Sequence, residues 1–294
     1  MEVLKNINSE NSKFKFSIII PSWNNLKYLQ HCISSIRKNS FYEHQIIVHV
    51  NEGNDGTIDW LKNQSNIDYT HSTENIGICY ALNIARSILK TDYLMYMNDD
   101  MYVLPDWDKH LSEEINAIGH NNFFLSSTMI EPSTTNPSAI ELNCGFDIET
   151  FDEDRLLSEY DKIKKSDWSG ATWPPNIVHK DVWDLVGGYS VEFSPGMYSD
   201  PDFSMKLWKL GIRIFKGVAK SRVYHFAAKT KKKISKTKSD GYNTFISKWG
   251  MSSKTFTDKY LRRGEPYIAE LANPKVDFSF QLKNRIKKIT NSLN

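Results

Sequence analysis

Three short apolar runs, each ending in a polar cluster, constrain this chain more than any other feature. Phe16 to Ile20 (FSIII) stops at Pro21, with Ser22-Trp23-Asn24-Asn25 reading as a loop. Gln45 to Val50 (QIIVHV) runs into Asn51-Glu52-Gly53-Asn54-Asp55-Gly56-Thr57. Tyr93 to Met97 (YLMYM) runs into Asn98-Asp99-Asp100. Between these runs, Leu26, Leu29, Ile33 and Ile36 recur at helical spacing, as do Ala81, Leu82, Ala85, Ile88 and Leu89. Short continuous apolar runs suit strands buried on both faces. Their alternation with helices predicts an α/β fold: a mostly parallel central sheet with helices on both faces. In such sheets ligands bind beyond the carboxyl ends of the strands, where these three clusters lie.

Later segments are less regular. Residues 131–167 mix Pro, Ser, Thr and acidic residues and read as loops with a few short strands. Val178 to Val186 predicts a helix stopped by Gly187-Gly188, and Pro201 to Leu210 another, with Gly211 after its end. Arg213 to Phe215 and Arg222 to His225 are strand candidates, and Phe278 to Ile289 has an amphipathic helical pattern.

Several classes are excluded at this stage. At 40% hydrophobic and 24% charged residues, the composition is globular. The apolar runs fall far short of the roughly 18 residues of a membrane helix. The first 13 residues lack the apolar core of a secretory signal. Cys32, Cys79 and Cys144 are far apart, without CxxC spacing, which suits buried thiols in a reducing, cytoplasmic setting. No GxGxxG follows the first strand and no Walker A pattern exists, which disfavours a nicotinamide dehydrogenase and a P-loop enzyme.

The net charge of +2 conceals a split. Residues 229–294 carry 16 Lys and Arg against 5 Asp and Glu, so the rest of the chain is acidic. Such a tail is either a solvated basic extension or one that meets an anion, such as a diphosphate or the inner face of a membrane. Nucleic acid is not expected, because the main body is acidic and no nucleic-acid motif is present.

Three constellations could carry chemistry. Asn98-Asp99-Asp100 reads either as a turn or helix cap, or as the carboxylate end of a divalent-metal site. Ser199-Asp200-Pro201-Asp202 opens a helix, so its carboxylates either cap it or include a general base. His225 ends a strand-like segment and gains a role only by sharing a metal with Asp100.

The order of these pieces resembles the GT-A glycosyltransferases, most closely family 2, over about residues 14–228. SIIIPSWNN resembles the family's opening strand and nucleotide loop, and NEGNDGT its second-strand turn, where an Asp usually stands at Asn51 or Glu52. NIGICYALN is similar to its Asn-x-Gly helix, and MNDD to its DxD motif with Asn98 in first position. GGY followed by SDPDFSMKLW resembles its Gly-Gly-Phe and Glu-Asp-x-Asp motifs with Ser199 for the usual Glu, and RVYHF the strand bearing a late metal-ligand His.

The resemblance implies a GT-A, Rossmann-like nucleotide-binding domain at 14–228, split into a nucleotide-sugar half (14–105) and an acceptor half (106–228). A flexible N-terminus (1–13) would precede it, and a basic loop with a helical extension (229–294) would follow. The implied reaction is inverting, metal-dependent sugar transfer from a nucleotide diphosphate, with UDP most expected. The acceptor would be a glycan or lipid-linked hydroxyl in surface polysaccharide synthesis. Pro21, Trp23, Asn51, Glu52, Asn75, Gly77, Asn83, Asn98 and Asp99 would line the nucleotide site. Asp100 and His225 would hold Mn²⁺ or Mg²⁺, and Asp200 would be the catalytic base. Trp168, Trp173 and Asp202 are candidates for the acceptor, and Lys229 and Lys231 for a lid over the diphosphate. The alternative is a non-catalytic GT-A-like protein that binds nucleotide or sugar.

Overall fold

The computed structural model describes residues 3–9, 13–226, 237–275 and 288, with only the backbone of 237–240. The first half runs β1 (Val3–Asn6), β2 (Ser17–Trp23), α1 (Leu26–Asn39), β3 (Gln45–Asn51), α2 (Thr57–Lys62), β4 (Ile67–Ser72), α3 (Gly77–Ala85), β5 (Tyr93–Tyr96) and β6 (Met101–Val103). The second runs α4 (Trp107–Ile118), β7 (Phe123–Glu131), β8 (Ile140–Glu141), α5 (Glu153–Glu159), β9 (Trp168–Ser169), β10 (Asn176–His179), α6 (Lys180–Val186), α7 (Ser199–Leu210), β11 (Ile214–His225) and α8 (Thr237–Trp249).

One sheet organises these elements in the order β1-β4-β3-β2-β5-β10-β7-β11-β6, with β8 beside β7 and β9 beside β11. β2, β3, β4 and β5 pair in parallel, and β7 runs the same way because β10 lies antiparallel to both β5 and β7. From β2 the chain winds outward to β3 and β4, then returns to place β5 on the other side. That reversal opens a crevice at the carboxyl ends of β2 and β5.

Period-two alternation explains why the strands read as unbroken apolar runs. Ile18 and Ile20 face a core shared with Leu29, Ile33, Trp107 and Leu111 of α1 and α4. Ile19 and Ile47 face the opposite core with Leu82, Val182, Phe203 and Leu207 of α3, α6 and α7. A third cluster, including Leu104, Ile130, Leu156 and Tyr224, packs beneath the loops of the acceptor half.

Four expectations change. Residues 3–6 are not a flexible N-terminus: they add an antiparallel edge strand to β4, Val3 opposite Ser72 and Asn6 opposite Tyr69. The two late strand candidates are one strand, β11, with a register shift between Val218 and Arg222. Val178 belongs to a strand, and the helix begins at Lys180. β10 is only four residues long and follows Pro174-Pro175, too short to show a period, yet it is fully buried between two strands.

The extension after residue 228 is also not a separate tail throughout. Phe245, Phe256 and Leu261 are buried in the same core as α7. Ser169 donates its N–H to Glu265 O at 2.8 Å, and Gly264 returns one to Ser169 O at 2.9 Å. The stretch 278–289 lies outside the described residues. Among the described residues no helix is long and apolar enough to cross a membrane.

Candidate active site

The site forms where the three polar clusters meet beyond the sheet. In the β2–β3 register Pro21 lies opposite His49 and Trp23 opposite Asn51. The turn after β3 is pinned to the loop after β2. Glu52, at φ +63°, accepts from Asn24 Nδ2 at 2.9 Å, and Asn24 Oδ1 accepts the Asn54 N–H at 2.8 Å. Asp55 accepts the Leu26 N–H at 2.7 Å and so fixes the start of α1. Asn51 is buried, and its Oδ1 accepts the Ile76 N–H at 2.9 Å. Its carbonyl therefore ties β3 to the entrance of α3.

That entrance explains Asn75 and Gly77. Asn75 Oδ1 accepts the Gly77 N–H at 3.0 Å. Gly77 has φ +77°, and a Cβ there would lie 2.5 Å from the Pro195 Cα, so only glycine fits the turn and the close approach. The Ile78 N–H donates to Pro195 O at 2.9 Å, which ties the nucleotide half to the turn before α7. Asn83 differs from its expected role beside the diphosphate. Its amide holds the Tyr189 backbone at both ends, donating to Tyr189 O at 2.7 Å and accepting from Tyr189 N at 2.9 Å.

The Asn98-Asp99-Asp100 turn joins β5 to β6. Asn98 lines the cleft. Asp99 accepts from Ser22 Oγ at 2.8 Å. Burial, then the neighbouring Asp100, push its carboxyl up to about 7, against hydrogen bonds from Ser22 and Asn25. Pairing of β11 with β6 sets His225 opposite Met101, and so brings it to Asp100 across 125 positions of sequence. Its Nε2 lies 3.5 Å from Asp100 Oδ1, and its Nδ1 lies 2.9 Å from Glu131 Oε1. Burial depresses the imidazole, but Asp100 and Glu131 outweigh it and raise its pKa to about 10.

This arrangement fits a divalent cation. Glu131 engages Nδ1, which leaves Nε2 directed at Asp100, the carboxylate–histidine order found behind metal-ligating imidazoles. Gathered carboxylates that resist ionisation side by side are what a cation would relieve. Among the described residues no three His, Cys, Asp or Glu side chains converge to hold a metal alone. Two protein ligands with phosphate oxygens and water suit Mg²⁺ or Mn²⁺.

Asp200 stands on the first turn of α7 and lines the same cleft of about 390 Å³ as His225, Asn98 and Glu131. Burial raises its carboxyl to about 7, against a hydrogen bond donated by Tyr189 Oη at 3.0 Å. Ser199, where the family usually has Glu, is buried and donates to Gly196 O at 2.6 Å, closing the turn before the helix.

The acceptor candidates separate. Trp173 lines the cleft, with the Arg263 guanidinium 5.0 Å from its ring centre. Trp168 does not: it is buried in the core, where its indole donates to Thr128 Oγ1 at 2.8 Å and its ring fills the space over Gly217. Asp202 is wholly buried and turned toward α8, accepting from Trp249 Nε1 at 2.8 Å and pairing with Lys248 at 2.9 Å. Lys229 and Lys231 lie outside the described residues. Trp168→Ala is expected to destabilise the fold by about 3–5 kcal/mol in chemical denaturation. Trp173→Ala is expected to leave stability nearly unchanged and raise the acceptor KM.

Glu131 and Arg263 are the charged cleft residues that sequence reading missed. Glu131 closes a strand, β7, for which no strand was assigned from sequence, and Arg263 comes from the extension assigned to a tail. The apolar run Phe123-Phe124-Leu125 was the available signal for β7.

The model of "Glycosyl transferase family 2" matches residues 17–171. No curated protein sequence matches the chain. Among solved structures, TarS of S. aureus (residues 1–349) superposes with TM-score 0.56 at 16% identity, over 95% of this chain and 80% of that one. The same protein with UDP gives 0.55 at 14% identity over 94% and 71%, and with UDP-GlcNAc 0.56 at 13% over 95% and 73%. Against the longer TarS chain, this one spans 44% of the length. At such identities the likeness establishes a shared fold.

Proposed function

The chain belongs to glycosyl transferase family 2, a family of glycosyltransferases, and we propose that it carries out a metal-dependent, inverting transfer of a sugar from a UDP-sugar. The acceptor is a hydroxyl of a glycan or lipid-linked carrier in surface polysaccharide synthesis. The observation that carries this reading is one cleft that holds both a carboxylate raised to about 7, Asp200, and His225 beside Asp100. UDP is favoured because structures of the same fold hold UDP and UDP-GlcNAc. Three free, buried thiols support a reducing, cytoplasmic setting.

The roles follow from chemistry. Pro21, Trp23 and the Asn51-Glu52 turn form the base end of the site. Asp100 and His225 would hold the cation, with Glu131 orienting the imidazole and Asp99 adding negative charge. When bound, a divalent cation neutralises charge that grows on the leaving diphosphate. The acceptor oxygen attacks the anomeric carbon from the face opposite the nucleotide. As the new C–O bond forms, the bond to the diphosphate breaks, and its electron pair leaves on the β-phosphate oxygen. Asp200 takes the acceptor's hydroxyl proton, and attack from the opposite face inverts the anomeric centre. Trp173 offers the incoming sugar an apolar face.

A donor screen by nucleotide release, run with Mn²⁺, Mg²⁺ or EDTA, tests this. Release from one sugar nucleotide, lost in EDTA, is expected. Tight UDP binding by calorimetry without turnover on any donor and acceptor pair would instead establish the non-catalytic alternative.

A further inference from the structure

Behind Asp200 lies a hydrogen-bonded chain that the reaction scheme has not used. Tyr189 follows Gly187-Gly188, and its ring is clamped on three sides. It stacks on Phe203 at 4.7 Å, lies tilted on Trp183 at 5.4 Å and meets Tyr96 edge-on at 6.0 Å. Its backbone is held at both ends by the Asn83 amide. Gly188 makes that approach possible, since a Cβ there would lie 2.3 Å from Asn83 Oδ1. So fixed, the phenol has little freedom, and its hydroxyl donates to Asp200 Oδ1, 3.0 Å away.

We propose that Tyr189 is a positioning residue for the catalytic carboxylate, with Asn83 fixing its place. Asp200 has two oxygens. The relay engages Oδ1 and so leaves Oδ2 to receive the acceptor proton. The same bond favours the ionised carboxylate, which opposes the cost of burial. This inference rests on Asp200 being the base.

Other groups face Asp200. Tyr96 on β5 and Cys79 on α3 are near enough to feel its charge, and Asp202 lies on its own helix. His225 and Arg263 line the same cleft. The Cys79 thiol is pushed up to about 12 by burial, and burial holds the Tyr96 and Tyr189 phenols well above their ordinary range. None of these three titrates near neutrality.

The test is the pH profile of kcat/KM for transfer between about pH 5 and 9, for three proteins in parallel. Tyr189→Phe keeps the ring and removes the donor, so the acidic limb should move up by about one pH unit. A 3-fluorotyrosine at position 189 is a stronger donor, and the limb should move down. UDP affinity by calorimetry should be unchanged in both. If the three limbs coincide, or if Tyr189→Phe lowers the rate without moving the limb, the relay does not act on the base. If Asp200→Asn retains transfer, the base reading itself fails, and that failure is distinguishable from the first.

Discussion

Asp200→Asn will lower the transfer rate by about 10³-fold, within the range usual for a general base, while UDP binding by calorimetry stays intact. Asparagine keeps the shape and the bond from Tyr189 but cannot accept the acceptor's proton. The substitution should also stabilise the protein at alkaline pH. In the fold the carboxyl titrates at about 7 against an ordinary 3.8, because burial disfavours its charge. Folding therefore weakens as pH rises through that interval, and the full cost is present above it. Thermal unfolding of the variant should exceed that of the natural protein at about pH 8, and the two should converge at about pH 3. Full transfer by Asp200→Asn would exclude Asp200 as the base. Equal melting at alkaline pH would show that its carboxylate is better solvated than the cleft implies.

EDTA and Asp100→Ala should each abolish transfer, by about 10³-fold or more, since the departing diphosphate then lacks its counter-charge. Mn²⁺ or Mg²⁺ should restore the EDTA-treated enzyme but not the variant. Glu131→Gln should be milder. It retains a partner for His225 Nδ1 but loses the charge that makes the imidazole a strong ligand, so the metal concentration for half-maximal rate should rise about 10- to 100-fold. Calorimetry of UDP with and without Mn²⁺ checks the same point without turnover: metal should tighten binding to the natural protein and not to Asp100→Ala. Transfer that persists in EDTA would overturn the assignment of Asp100 and His225.

The fold of the first half was legible because its strands are long enough to show their burial. FSIII and QIIVHV are mostly apolar and buried along their length, as strands covered on both faces are, and their polar ends mark the edge where the cleft opens. The order of their motifs pointed to Asn98-Asp99-Asp100, Asp200 and His225 together, and the fold gathers Asn98, Asp200 and His225 at one cleft, with Asp100 beside His225. Glu131 was not, because a carboxylate at the end of a strand has no local signature. Asn83 and Trp168 show the opposite limit. An amide on a helix and an indole in a polar loop read equally well as ligand contacts, yet one holds a backbone and the other fills the space above Gly217.

The layers, the helices on both faces and the edge where the cleft opens are written in local pattern, because periodicity and turn residues are local and each strand or helix carries its own. Which polar groups share the cleft is set instead by how the strands pair. His225 reaches Asp100 through the pairing of β11 with β6, Glu131 reaches His225 because β7 lies beside β11, and Arg263 reaches Trp173 because the extension folds back over β9. Those contacts depend on strand order and register, which long-range burial selects and which no stretch of neighbouring residues records.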